Sequence, residues 1–242
     1  AIYRVLYPFF DRKFIADSYS CRIGKGTHKA MDRFREYARK VSKNHRRTVW
    51  VLKCDIRKFF ASIDHDVLLA ILAQSIPDKD IIWLLSRVIG SFHSTREGVG
   101  LPLGNLTSQL LVNIYMNEFD QFVKHSLKVE RYVRYADDFV LLSESKEWLE
   151  GMLERIGNFL GDKLRLQLHP DKVSIHTFVS GVDFLGWVHF SDHRVIRSAT
   201  KRRMMRSAKG QPSDESIQSY LGLLSHGNAV MVTAAFLRES SN

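Results

Sequence analysis

Three aspartates stand where a chain could gather carboxylates: Asp55, Asp137 and Asp138. Asp55 sits near the end of a β-rich run, 48–56 (TVWVLKCDI). Asp137 and Asp138 follow Ala136 between two short β-rich runs, 131–135 and 139–143, the pattern of a hairpin whose tip carries two carboxylates. Carboxylates brought that close repel, and without cations one of them is driven to take a proton. Two divalent metal ions about 3.5–4 Å apart remove the conflict and suit nucleotidyl transfer, one activating a hydroxyl and the other steadying the leaving group. Magnesium takes hard oxygen ligands and few of them from protein, so two or three carboxylates on neighbouring strands suffice. Each signal alone is ambiguous. An Asp-Asp pair is more often a turn or a helix cap, and Asp55 could be a polar strand-end residue. The joint pattern carries the weight: an apolar strand leading to Asp55, then GLPLGNLTSQ (100–109) opening a helix, then YADD (135–138) between two β-runs.

These residues need a scaffold, and the periodicity supplies one. Residues 28–43 have Met31, Phe34, Tyr37, Ala38 and Val41 at helical spacing with basic residues between them. Asp64 is placed to cap a helix running to about Ser75. Further helices are expected at 79–91, 108–124 and 146–161, with the Gly/Pro-punctuated loop 98–104 before the second of these. Two or three short strands are expected within 173–189. From 194 to 209 there are seven basic residues and no acid, which sets a soft boundary near Ser191. A linker at 210–214 (GQPSD) then precedes a last helix starting near Ser216. The order describes an α+β domain, an antiparallel sheet with helices on one face.

Composition narrows the partners. The 242 residues are 45% hydrophobic and 26% charged, a balance that excludes a disordered chain. The formal net charge of +10 points to a polyanion, nucleic acid first and an anionic membrane second, beside the plain reading of a basic soluble protein. There is no apolar run long enough to span a membrane and no signal-peptide layout, so no membrane partner is expected. Cys21 and Cys54 form no disulfide framework and no zinc spacing, which suits a reducing cytoplasm. With no initiator Met, Ala1 reads as an internal position of a longer protein.

Asp55-Ile56-Arg57-Lys58-Phe59-Phe60 resembles the first catalytic motif of reverse transcriptases, and Tyr135-Ala136-Asp137-Asp138 is similar to their YxDD box. Residues 100–109 resemble the motif between those two. SYSCRIGKGTHKA (18–30) resembles the segment before the first aspartate, LHPDK (168–172) the motif after the hairpin, and VDFLGW (182–187) the primer-grip hairpin. The resemblance covers nearly the whole chain in the family's order. Most reverse transcriptases carry glutamine before the glycine of the middle motif, often followed by SP. This chain instead has Leu103-Gly104 and then Ser108-Gln109. That pattern, with SYLGLLSHGN (219–228), resembles the enzymes of diversity-generating retroelements of bacteria and phages.

The resemblance implies a right-hand polymerase palm with partial fingers and a truncated thumb: fingers and palm over 1–190, a basic connector and the start of a thumb over 191–242. It implies two magnesium ions, with manganese a possible substitute, held by Asp55, Asp137 and the Ile56 carbonyl, with Asp138 assisting. Phe60 would be a steric gate against a ribose 2′-hydroxyl, with Phe59 or Phe60 itself as core the plainer alternative. Leu103, Gly104 and Gln109 would lie near the incoming nucleotide. Lys172 would be a general acid for departing pyrophosphate or, equally, a solvated lysine after a Pro turn. Arg22 and Lys25, in CRIGKG, could face nucleotide or template. Two basic tracts, 33–47 with Arg46 and Arg47 and 194–209 with Lys201, Arg202, Arg203 and Arg206, would meet phosphate backbones, with a solvated face the plainer alternative for the second.

The implied partners are an RNA template, a DNA or RNA primer, dNTPs and a small basic accessory protein oligomer, in a bacterial or phage-infected cytoplasm. An aliphatic Leu103 offers a base only shape, so the implied product is error-prone cDNA. The alternatives are a reverse transcriptase of a retron, group II intron or phage-defence system, and a non-catalytic RNA-binding protein on a polymerase scaffold. The chain departs from the family in three ways. It has no counterpart of the preceding fingers strands, its thumb is short, and no RNase H or endonuclease segment is recognisable.

Overall fold

Strand β1 (Trp50–Cys54) is hydrogen-bonded along both edges. In the computed structural model, which describes residues 2–210, 213–225 and 227–240, it lies inside a four-stranded antiparallel sheet of order β2-β3-β1-β4. The other strands are β2 (Tyr132–Tyr135), β3 (Asp138–Ser143) and β4 (Ser174–Thr177). Alternation divides their side chains between two cores. Leu52, Cys54, Tyr132, Phe139 and Leu141 join the larger core, and Val51, Val133, Val140 and Leu142 join the smaller.

The larger core is closed by α1 (Ile2–Asp11), α4 (His65–Ser75), α5 (Lys79–Ile89), α6 (Leu106–Gln121) and α7 (Lys146–Leu164), with the single turn α3 (Phe59–Ser62) following β1. The α+β expectation holds, but the expected placing of helices on one face is corrected, since both faces of the sheet are covered. Helix α2 (Thr27–Val41) adds cover on the second face through Ala30, Phe34, Tyr37 and Ala38. The consecutive apolar residues Val51-Leu52 and 139–142 require it, because a strand apolar on both sides must be buried on both sides.

Local chemistry sets the helix ends. The Asp64 side chain accepts from Val67 N at 3.1 Å and starts α4 where the sequence expects it. Asn105 accepts from Ser108 N at 2.6 Å and starts α6 earlier than expected. Beyond Gln121 this helix continues as a π-helical turn, Phe122–Ser126.

A second antiparallel sheet holds β5 (Val182–Phe184), β6 (Trp187–His189) and β7 (Arg194–Ile196), in that order. It runs through the soft boundary near Ser191. Helices α8 (Ser198–Ala208), α9 (Asp214–Leu224) and α10 (Val230–Ser240) then gather on a third core of Trp187, Ile196, Met204, Leu224 and Phe236, joined by Met31 of α2. Gly227 lies against Trp187 so closely that a β-carbon there would overlap the indole ring, which ties the 219–228 segment to the 182–187 hairpin. Gln211 and Pro212 of the expected linker, and His226, lie outside the described residues. Among the described residues no helix is long and apolar enough to cross a membrane.

Candidate active site at the end of the central sheet

The register Cys54↔Phe139 makes Asp55 and Asp138 the next facing positions as β1 ends and β3 begins. Tyr135↔Asp138 closes the β2–β3 hairpin over a two-residue turn, Ala136-Asp137. Ala136 adopts φ +55°, a left-handed conformation uncommon for a residue with a β-carbon. Period-two alternation sets Lys53, Asp55 and Asp138 on the face of Val51 and Val140, the one that α2 covers farther along the sheet. The sequence motifs thus become one cluster of carboxylates.

That cluster is short of positive charge. The Lys172 ammonium lies 3.1 and 3.2 Å from the two Asp55 oxygens. The Lys53 ammonium lies 3.7 Å from Asp138 Oδ2, while Asp138 Oδ1 is buried without a partner. Burial, assisted by the charges of Asp55 and Asp137 and opposed by Lys53, pushes the Asp138 carboxyl up to about 7. Burial, followed by the Asp55 charge, also raises Asp137, with Lys172 opposing. As they stand, no three His, Cys, Asp or Glu side chains among the described residues form a metal shell. The donors nonetheless fit magnesium: they are hard oxygens, gathered from neighbouring strands, and one of them is buried without a hydrogen-bond partner.

The hairpin tip is fastened from behind by Arg134, which the motif reading missed. Its side chain is wholly buried. The guanidinium donates to Asp120 at 2.8 and 2.6 Å, to Ser18 Oγ at 3.0 Å, to Asn113 Oδ1 at 3.3 Å and to the Ala136 carbonyl at 3.0 Å. Tyr132 adds a hydrogen bond to Asp120 at 2.7 Å. Arg134 thus joins α6 to the peptide that sets the left-handed turn. A signal was available, since alternation from Tyr132 aims the Arg134 side chain into an apolar core where only a buried partner can satisfy it.

A short backbone ladder fixes the other side of Asp55. His169 N donates to the Asp55 carbonyl at 2.8 Å, Arg57 N donates to Gln167 O at 2.9 Å, and Ile56 bridges to Leu168 between them. This ladder carries the 168–172 motif to the carboxylates and sets Lys172 on Asp55.

The remaining candidates separate. Phe59 is core at 4% exposure, while Phe60 is half-buried and edge-on to it at 5.5 Å. Gly104 takes φ +90° beside Leu103, which is 77% exposed, and Gln109 is half-buried in the first turn of α6. The expectation that Arg22 faces nucleotide or template is corrected. Its buried guanidinium is used up on Asp11 at 2.7 Å and on the carbonyls of Asp11, Ile15 and Ser18, bracing α1 against the 18–30 segment. Lys25 likewise donates to Ala16 O at 2.7 Å. Arg46 is exposed, and Arg47 pairs with Glu144. Lys201, Arg202, Arg203 and Arg206 are exposed on α8, and all but Arg203 line one groove with Met205 and Lys209.

Comparison with known proteins agrees with this geometry. The family described as reverse transcriptase (RNA-dependent DNA polymerase) matches residues 1–189. Protein YkfC of Escherichia coli is 27% identical over 89% of this chain and 64% of its own length. The Group II intron-encoded protein LtrA of Lactococcus lactis subsp. cremoris is 26% identical over 64% of this chain and 36% of its own. The structure of apo telomerase from Candida tropicalis superposes with a TM-score of 0.65 at 11% identity, covering 99% of this chain and 48% of that one. The chain spans less than two thirds of each of these relatives. By the match over 1–189, it belongs to the reverse transcriptase family.

Proposed function

We propose that this chain is the polymerase core of an RNA-directed DNA polymerase that copies an RNA template into error-prone cDNA in a diversity-generating retroelement. The observation that carries the polymerase reading is the meeting of Asp55, Asp137 and Asp138 at one sheet end short of positive charge. Asp55, Asp137, Asp138 and the Ile56 carbonyl would hold two magnesium ions. Bound there, such ions supply a more acidic 3′-hydroxyl and charge relief for the leaving group. Lys172, whose ammonium already lies on Asp55, is the candidate to give its Nζ proton to departing pyrophosphate. Phe60 presents a half-buried ring as the sugar gate. The exposed cations of α8, together with Arg46, are candidates for phosphate contacts of a primer–template duplex. Two free cysteines suit a reducing cytoplasm, bacterial or phage-infected.

Leu103 and Ser108-Gln109 support the retroelement assignment, and exposed Leu103 offers a base only shape. Similarity to LtrA favours a second reading, an intron-encoded reverse transcriptase. A template/variable repeat pair beside the gene supports the first; intron boundaries flanking it support the second. An accessory basic oligomer belongs to the first reading alone. The activity itself is tested by dNTP incorporation on poly(rA)/oligo(dT) with the full-length polypeptide. Incorporation that requires magnesium supports polymerase function, and RNA binding without incorporation would make the chain an RNA-binding scaffold.

A further inference from the structure

The loop that leads to Leu103 is fastened to the segment that carries Phe60. Leu101 N donates to Phe60 O at 2.8 Å, Gly100 N to Ile63 O at 2.8 Å, and His65 N to Gly98 O at 2.9 Å. Val99 bridges to Asp64 between them. Side chains close the same seam. The Ser94 hydroxyl donates to Ala61 O at 2.6 Å, and the His93 ring accepts from Gly98 N at 3.2 Å. His65 makes the buried tie: it is 5% exposed, and its Nε2 lies 2.7 Å from Gly100 O. A carbonyl can only accept, so Nε2 carries the proton. Gly100 takes φ +108°, and a β-carbon there would fall 2.6 Å from the Ser94 side chain, so this peptide needs both the freedom and the size of glycine.

A turn closed by backbone bonds alone needs no buried imidazole. A polar ring inside the protein costs free energy unless its hydrogen bond is made, and here that bond holds the carbonyl three residues before Leu103. The proposed function assigns Phe60 to the sugar and Leu103 to the base, and the inference rests on that reading. Leu101 is core at 3% exposure and two residues from Leu103, while its amide is bonded to the carbonyl of Phe60 itself. The two selecting groups are therefore set against each other through this seam. Asp64 anchors its far side, capping α4 and pairing at 2.7 Å with Arg165 at the end of α7. We infer that His65 is a positioning residue for substrate selection: as the buried tie of the seam, it holds residues 98–101 on the Phe60 segment so that sugar and base are judged together. Misplacing a positioning group by about 1 Å is enough to change how one substrate reacts against another.

The test uses the full-length polypeptide with His65→Phe, which keeps a ring and removes the donor, and with His65→Gln, whose amide nitrogen still donates. Two ratios are read: kcat/KM for deoxyribonucleotide against ribonucleotide, and correct against wrong incorporation opposite template adenine. His65→Phe is expected to lower both by about fivefold or more, with kcat for the correct deoxyribonucleotide within about twofold of the parent. His65→Gln is expected to restore both. Phe60→Val should then open the sugar gate less in the His65→Phe background than in the parent, by about threefold or more. Unchanged ratios in His65→Phe overturn the inference, as does a change in one ratio alone or an equal loss of rate for every nucleotide. Should His65→Phe not fold, Ser94→Ala carries the same comparison: both ratios should fall, and unchanged ratios overturn the inference. The underlying reading is tested apart, since Phe60→Val and Leu103→Gln that leave their own ratios unaltered remove the selecting roles. Hydrogen exchange then decides the seam: faster exchange at the Gly100 and Leu101 amides in His65→Phe, with β1–β3 amides unchanged, supports the tie, and equal exchange overturns it.

Discussion

The hairpin tip and the loop before α6 are both candidate parts of one active site, yet they are built in opposite ways. At the tip, carboxylates are set in a packed sheet. Arg134 is wholly buried behind them and its guanidinium is saturated by Asp120, Asn113, Ser18 and Ala136. In the loop only the ends are held: Leu101 is core, Gly100 lies against Ser94, and Asn105 caps α6. Between them Leu103 stands 77% exposed, and Leu106, the first residue of α6, is 59% exposed. The difference separates two tasks. Groups that perform chemistry are preorganised by the protein, because charge placed in a low-dielectric site works only when its neighbours are fixed. Groups that judge a base meet their partner only when nucleotide and template arrive. The tip should therefore respond to mutation in rate and stability, and the loop in selectivity alone.

The comparison breaks most sharply at Asp55. Replacing Asp55 by Asn should lower incorporation by on the order of 10³ or more, as expected when a metal carboxylate is lost. Its melting temperature should stay near the parent's, and single-turnover kinetics beside thermal melting checks both halves. Arg134→Gln comes next. Removing one partner of a buried pair costs about 3–5 kcal/mol, so the protein should melt earlier and the surviving folded fraction should need more magnesium. An unshifted magnesium requirement in that fraction would reduce Arg134 to a fold-holding role. Phe60→Val or Phe60→Ala should then admit ribonucleotides with little loss of deoxyribonucleotide incorporation, read as the ratio of the two kcat/KM values; an unchanged ratio removes Phe60 from the sugar gate. The smallest effect belongs to the loop. Leu103→Gln should leave melting and kcat unchanged and reduce misincorporation opposite template adenine, a difference of a few kcal/mol at most. Sequencing the cDNA measures it, and an unaltered adenine error rate ends the proposed link between Leu103 and mutagenesis.

What the sequence made legible follows the same division. The carboxylates, the hairpin and the Asp64 cap were readable because each is written in adjacent residues. The Arg134–Asp120 bond was not, since its partners come from different elements and only packing brings them together. Arg22 misled for the converse reason: a basic residue in a glycine-rich stretch looks ligand-facing until Asp11, on another element, claims it. Helices α1 and α8 also went unread. In α8 only Met204 and Ala208 are buried, so the apolar stripe is too thin to stand out among seven basic residues from 194 to 209. Lys53 passed as a strand residue, and its place beside Asp138 depends on register.

The most direct test joins the tip to the magnesium ions proposed for it. The full-length polypeptide and its Asp137→Asn/Asp138→Asn form are compared for cDNA synthesis on poly(rA)/oligo(dT) across a magnesium titration. The account predicts saturable, magnesium-dependent synthesis by the parent. It predicts a folded double variant that makes no cDNA at any magnesium concentration, since asparagine keeps the shape of the turn and removes the charge. A double variant that makes cDNA at the parent's rate would contradict it.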